Sequence, residues 1–105
     1  MLGSGSGSIY LLELIDDEWN WRLFASLDFA PCSVTMAESK IIVAGDGIIA
    51  EIDDLGNTDT IIKSDMLTYS DAVLKLNGRY YCVNSIGLYE YDPNMNTEKW
   101  FPFET

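Results

Sequence analysis

The sequence predicts an all-β protein, an antiparallel meander of about ten short strands. Three observations carry that prediction. β-branched and aromatic residues dominate the apolar runs, and no long Ala/Leu/Glu/Lys window offers a helix. Asn77-Gly78 lies between two such runs and is the strongest two-residue hairpin signal a sequence can carry. Finally, the chain repeats itself. Leu12-Glu13-Leu14-Ile15-Asp16-Asp17, Ile49-Ala50-Glu51-Ile52-Asp53-Asp54 and Leu88-Tyr89-Glu90-Tyr91-Asp92-Pro93 are apolar runs ending in acidic turns, at offsets of 37 and then 39 residues.

The repeat extends beyond those turns. Phe24, Ile61 and Trp100 each follow seven residues after the end of a matched segment. Upstream, Lys40–Gly45 matches Arg79–Asn84, and Val34 matches Val73, both at an offset of 39. Each full unit therefore reads as four strands, at about 32–36, 40–45, 48–53 and 58–63, and again at about 71–76, 79–84, 87–91 and 97–103. The first unit has only two, at about 9–15 and 20–27. The run Ile41–Ala44 is apolar without alternation, which requires burial on both faces. Asp54-Leu55-Gly56-Asn57 is a glycine-containing hairpin loop, and Gly45-Asp46-Gly47 is a strand connection rather than a phosphate loop, since no helix follows it. Residues 1–8 read as a flexible Gly/Ser arm or an expression remnant, leaving 9–105 as a single all-β domain.

A four-stranded unit of about 38 residues with both faces buried resembles a β-propeller blade of the kelch-like kind. Leu76-Asn77-Gly78-Arg79-Tyr80-Tyr81 is similar to that family's strand pair entering a glycine-rich turn. Leu88–Pro93, with Asn96-Thr97 and Trp100 after it, is similar to the family's ending of a blade. The family's paired glycines are replaced by Asn84-Ser85, and the repeat is shorter than kelch's roughly 50 residues. The resemblance implies a partial propeller of two and a half blades, which needs more blades to close. A β-sandwich or barrel is the alternative architecture.

Composition limits the chemistry. The 105 residues hold 17 acidic and 6 basic side chains and no histidine, for a net charge of −11. Imidazole catalysis and imidazole metal sites are excluded. Six scattered cations make no phosphate-binding face, so the expected partner is neither nucleic acid nor an anionic membrane, but a basic protein. No run approaches the length of a membrane span, and no signal peptide is visible, so the expected location is the cytoplasm. Cys32 and Cys82 follow no metal or redox spacing and are expected to be two buried, inert thiols.

No catalytic constellation is expected, and no cofactor or metal. Asp16-Asp17-Glu18 and Asp53-Asp54 are paired carboxylates, but they fall in turns, where aspartate caps its own backbone and faces water. Asp53, Asn57 and Asp59 supply hard oxygens without the spacing of a calcium loop. Trp19 and Trp21 alternate onto one face, so at least one is expected in the core, with Trp19 the candidate exposed anchor.

In a blade series the turns fall on two rims. One carries Asp16, Asp17, Glu18, Asp53, Asp54 and Asp92. The other carries Asp28, Asp46, Asp65 and Asp71 with Phe29, Met66 and Tyr69, and holds the longest connection, Ser64–Ser70. Binding loops are usually long loops on a rigid sheet, so this second rim, with Trp19, is the expected partner-binding site. The leading functional reading is an acidic, non-enzymatic inhibitor of a basic toxin nuclease. In size and charge it is similar to the immunity proteins of bacterial toxin–immunity and contact-dependent inhibition systems. A propeller fragment that self-assembles is the alternative, and a lectin-like small-ligand module the third reading.

Overall fold

The computed structural model describes residues 2–5, 7–67 and 70–103. Among the described residues, eleven strands form three antiparallel sheets, and none closes on itself into a barrel. β1 (Leu2–Gly5), β2 (Ser8–Ile15) and β3 (Glu18–Ser26) make the N-terminal sheet. β4 (Ser33–Ala37), β5 (Lys40–Gly45), β6 (Ile48–Ile52) and β7 (Thr58–Lys63) follow in chain order as the middle sheet. β8 (Ala72–Leu76), β9 (Arg79–Val83), β10 (Gly87–Asp92) and β11 (Thr97–Pro102) make the C-terminal sheet in the same manner.

The 39-residue repeat is a repeat of structure. The middle-sheet strands start at 33, 40, 48 and 58, and those of the C-terminal sheet at 72, 79, 87 and 97, each 39 later. The expected flexible arm needs correction, because Leu2–Gly5 pairs with Ser8–Leu11 as a strand. Gly/Ser composition gives no periodicity, so sequence pattern could not find it. The backbone ladder alone specifies it.

Turn chemistry sets the registers. Asp16-Asp17, Glu38-Ser39, Asp46-Gly47 and Asn77-Gly78 each place two successive residues at positive φ, between 51° and 77°. They join directly paired strand ends, as two-residue loops whose twist matches the strands they connect.

The middle sheet lies between the other two. Ile41, Val43, Ala50 and Ile52 point to the N-terminal sheet and form a core with Ile9, Ala25 and Phe29. Ile42, Ala44 and Ile49 point the other way and pack with Val73, Tyr80, Cys82, Tyr89 and Tyr91. Ile41–Ala44 is thus buried on both faces, as its unbroken apolar run requires.

The faces also correct the register of the first repeat. Ile9 lies in the core and Leu11 lines a cavity against Ile41 and Ile52, so alternation turns Leu12 and Leu14 outward. Leu12 and Leu14 therefore lie on the face that Ala50 and Ile52 occupy in the middle sheet rather than on that of Ile49, and the bulges at Ile9/Tyr10 and Ile49/Ala50 align Ile9 with Ile49 and Leu12 with Ile52. The acidic turns misalign the sequence because they differ in length. Two residues join β2 to β3, whereas five join β6 to β7.

Candidate functional site

The second rim is assembled by short backbone ties between neighbouring connections. Cys32 N–H donates to Ala44 O at 2.7 Å, and Ser64 N–H to Gly47 O at 2.8 Å. Gly45 lets the chain between β3 and β4 pass close by. A Cβ there would collide with the backbone of Ala30, Pro31 and Cys32. The long connection after β7 is anchored at both ends. Ser64 Oγ accepts from Met66 N–H at 3.1 Å, and buried Ser70 donates through Oγ to Ala72 O at 2.8 Å. Leu67 is driven into the core between these ties, a burial that loop composition did not announce.

These ties shape an open cleft of about 690 Å³, lined by Ala30, Cys32, Asp46, Gly47, Lys63, Ser64, Asp65 and Leu67. The structure thus brings Asp46 and Asp65 of the expected site together. Asp28 and Asp71 are exposed on neighbouring connections. Among the described residues, the carboxylates of Asp28, Asp46, Asp65 and Asp71 carry no hydrogen bond or ion pair. Met66 is 40 % exposed. Tyr69 lies outside the described residues. Phe29 is not available to a partner, since at 6 % exposure it is part of the core beside Ile9 and Ala25.

Trp19 is exposed, but it does not belong to this rim. It stands at the start of β3, beside the Asp16-Asp17 turn and paired with Leu14. Trp21 is exposed too, at 58 % against 64 % for Trp19, so neither tryptophan enters the core as expected. The β2–β3 hairpin is long, and the middle sheet covers only its inner face near Ile9 and Ala25.

The expectation of two buried thiols is corrected at Cys32, which is exposed at the cleft. Cys82 is buried, and desolvation pushes its thiol up to about 11, against the smaller lowering from Ser70. One thiol should therefore react rapidly with an exposed-thiol reagent at neutral pH and the second only after unfolding. Titration of the native and the denatured protein checks this, and two fast thiols in the native state would contradict the burial of Cys82.

On the first rim, turn aspartates behave as caps. Asp53 Oδ1 accepts from Leu55 N–H at 3.0 Å and from Asn57 N–H at 2.9 Å, and Asn57 Nδ2 donates to Oδ2 at 3.2 Å. The Asn57 backbone bond leads the causes that hold its carboxyl below the usual range, over a small opposing desolvation. Asp92, 39 residues later, accepts in the same way from Asn94 N–H at 3.0 Å. Asp53 is committed to its own loop and thereby removed from any calcium reading of Asp53, Asn57 and Asp59, while Asp92 also pairs through Oδ2 with Arg79 at 3.4 Å.

One charged cluster was not legible as a unit in the sequence. Glu51 is buried between the middle and C-terminal sheets. Its carboxylate accepts from Tyr80 OH and from Lys75 Nζ at 3.3 Å, and Lys40 Nζ lies 3.7 Å from its other oxygen. Lys75 also reaches Glu38 at 3.0 Å and sits over the Tyr80 ring. Burial pulls Lys75 down, but the hydrogen bonds and charges of Glu38 and Glu51 outweigh it and its pKa is raised. The cluster ties the two sheets together, and among the described residues Glu51 Oε2 is buried without a hydrogen-bond partner, with Lys40 Nζ 3.7 Å away.

The chain matches no protein-family model, and no curated protein is detectably similar to it. No helix among the described residues is long and apolar enough to cross a membrane.

Proposed function

We infer that the protein is an acidic, non-catalytic binding protein whose second rim covers a basic protein. The specific form we propose is an immunity protein that inhibits a basic nuclease toxin in the cytoplasm. The observation that carries the reading is the set of exposed carboxylates at Asp28, Asp46, Asp65 and Asp71, unpaired among the described residues, two of which line one cleft. On the first rim Asp53 and Asp92 are consumed by caps, which leaves Asp16, Asp17, Glu18 and Asp54, as many exposed carboxylates as the second rim carries, so it is the cleft between Asp46 and Asp65 that favours the second. Carboxylates held on a rigid sheet edge stand in for phosphates, speed encounter with a cationic cleft and block it. The kelch-like reading accompanies this proposal and is supported by the 39-residue structural repeat.

Capture from the source cell's lysate tests it, using the wild-type chain and the Asp46→Lys/Asp65→Lys variant as paired baits. The expected result is a basic protein with nuclease activity, bound at about 50 mM salt, weakened at about 0.5 M, and lost with the variant. A partner bound equally by both baits, or one of acidic character, overturns the assignment of the rim.

A further inference from the structure

Rim binding leaves the two outer faces of the sheet stack unused, and both present exposed apolar side chains, with the cross-strand neighbours Glu90 and Lys99 beside them on the C-terminal sheet. Each face of the middle sheet is covered, the Ala50/Ile52 face by the N-terminal sheet and the Ile42/Ile49 face by the C-terminal sheet. At an offset of 39, Tyr89 and Tyr91 meet the middle sheet as Ala50 and Ile52 meet the N-terminal sheet. The counterparts of Ile42 and Ile49 are Tyr81 and Leu88. They stand on the outer face of the C-terminal sheet together with exposed Leu74 and Phe101, with no sheet over them among the described residues. At the other end of the stack, Leu12 and Leu14 lie on the face that Ala50 and Ile52 occupy in the middle sheet and point outward with their strand partners Trp21 and Trp19. The stack therefore ends in two different surfaces. One is of the kind that elsewhere in this chain receives a following sheet, and the other is of the kind that elsewhere meets a preceding one.

We propose that a second copy of this chain joins them. The N-terminal sheet of one copy packs, through Leu14, Trp19 and Trp21, on Leu74, Leu88 and Phe101 of the C-terminal sheet of its neighbour. The contact repeats the sheet-on-sheet arrangement already made twice within one chain. It is heterologous, because each outer face matches the other and not itself. Such a contact propagates until it closes a ring or runs on as a filament. Exposed Trp and Phe in a contiguous apolar face are the composition of an interface core. The charge of −11 on each copy opposes association. Most carboxylates lie in turns, so added salt relieves the repulsion while leaving the apolar contact intact. Salt therefore strengthens this assembly, whereas it weakens capture of a basic partner by the rim, and the two proposals fail separately.

Sedimentation velocity tests the proposal with three proteins: wild type, Trp19→Glu/Trp21→Glu, and Leu74→Glu/Phe101→Glu. Wild type is expected to sediment as multiples of 11.8 kDa, increasingly so at about 0.5 M salt. Each variant alone is expected as a monomer, and an equal mixture of the two as a heterodimer that goes no further. That rescue arises only from a head-to-tail contact. Circular dichroism of each variant identifies any that fails to fold, and Trp19→Ser/Trp21→Ser or Leu74→Ser/Phe101→Ser then replaces it in the mixing experiment. Wild type that stays monomeric at high salt overturns the proposal. So does a mixture in which the variants ignore one another while one of them still self-associates.

Discussion

Ile49→Ala should destabilise the fold by about 3–5 kcal/mol, measured by urea unfolding. Ile49 is completely buried on the middle-sheet face that meets the C-terminal sheet, among Tyr89, Val73 and Ile42. Its removal leaves a cavity between two sheets that are each held by their own hydrogen-bond ladders and so cannot collapse freely onto it. For a domain of this length, whose total stability is of order 5–15 kcal/mol, that loss is a large fraction. Leu88→Ala is the internal control. It is the same position one repeat later, but among the described residues no sheet covers it. In dilute, low-salt solution it should cost about 1 kcal/mol, since a half-exposed side chain loses less on truncation. Equal losses at the two positions would show that the stacking of the sheets does not govern their stability.

Lys75→Met should cost about 3 kcal/mol, and the double variant Glu51→Leu/Lys75→Met should recover most of it. The reason is the asymmetry of buried ion pairs. Glu51 is taken out of water, and Tyr80 and Lys75 answer one of its oxygens directly, while Lys40 approaches the other. Removing Lys75 leaves a buried charge with one hydroxyl and a distant ammonium, whereas removing both partners leaves no buried charge and only the neutral Tyr80 hydroxyl without its acceptor, the smaller cost. Chemical unfolding of the two variants checks this, and a double variant no more stable than Lys75→Met would overturn it.

The pH dependence has a defined sign. Lys75 has a raised pKa, so the native state holds its proton more tightly than the unfolded chain. Its contribution is complete below the ordinary lysine value and is lost as pH rises through the folded one. Tyr89, raised by burial and by its bond to Glu98, acts in the same direction. The wild type should therefore lose stability in alkali, and the double variant should lose less, retaining the Tyr89 part and that of Cys82, whose thiol is also raised, to about 11.

Particular residues show why some of the fold was legible and some was not. The strands of the middle and C-terminal sheets were visible because their signals are local. Asn77-Gly78 prescribes a turn of two positive φ angles, and the unalternating run Ile41–Ala44 prescribes two covered faces. Phe29 was misplaced because it sits between turn-like residues, and only the packing of Ile9 and Ala25 draws it inward. Trp19 and Trp21 carry no mark of exposure, because alternation says only that they share a face and leaves open whether that face is covered. The Glu51 cluster joins residues 24 and 29 apart, a separation that no local pattern spans.

The sequence by itself determined the all-β class, the four-strand unit, its 39-residue spacing and the acidity of its turns, because each is written in residues close together along the chain. Tertiary structure alone decided which face each apolar residue presents. It also decided the register of the first repeat, the cleft that gathers Asp46 and Asp65, and the two outer faces that no sheet covers among the described residues. The physical reason is that alternation defines a side of a strand, but burial belongs to whatever sheet comes to lie against that side.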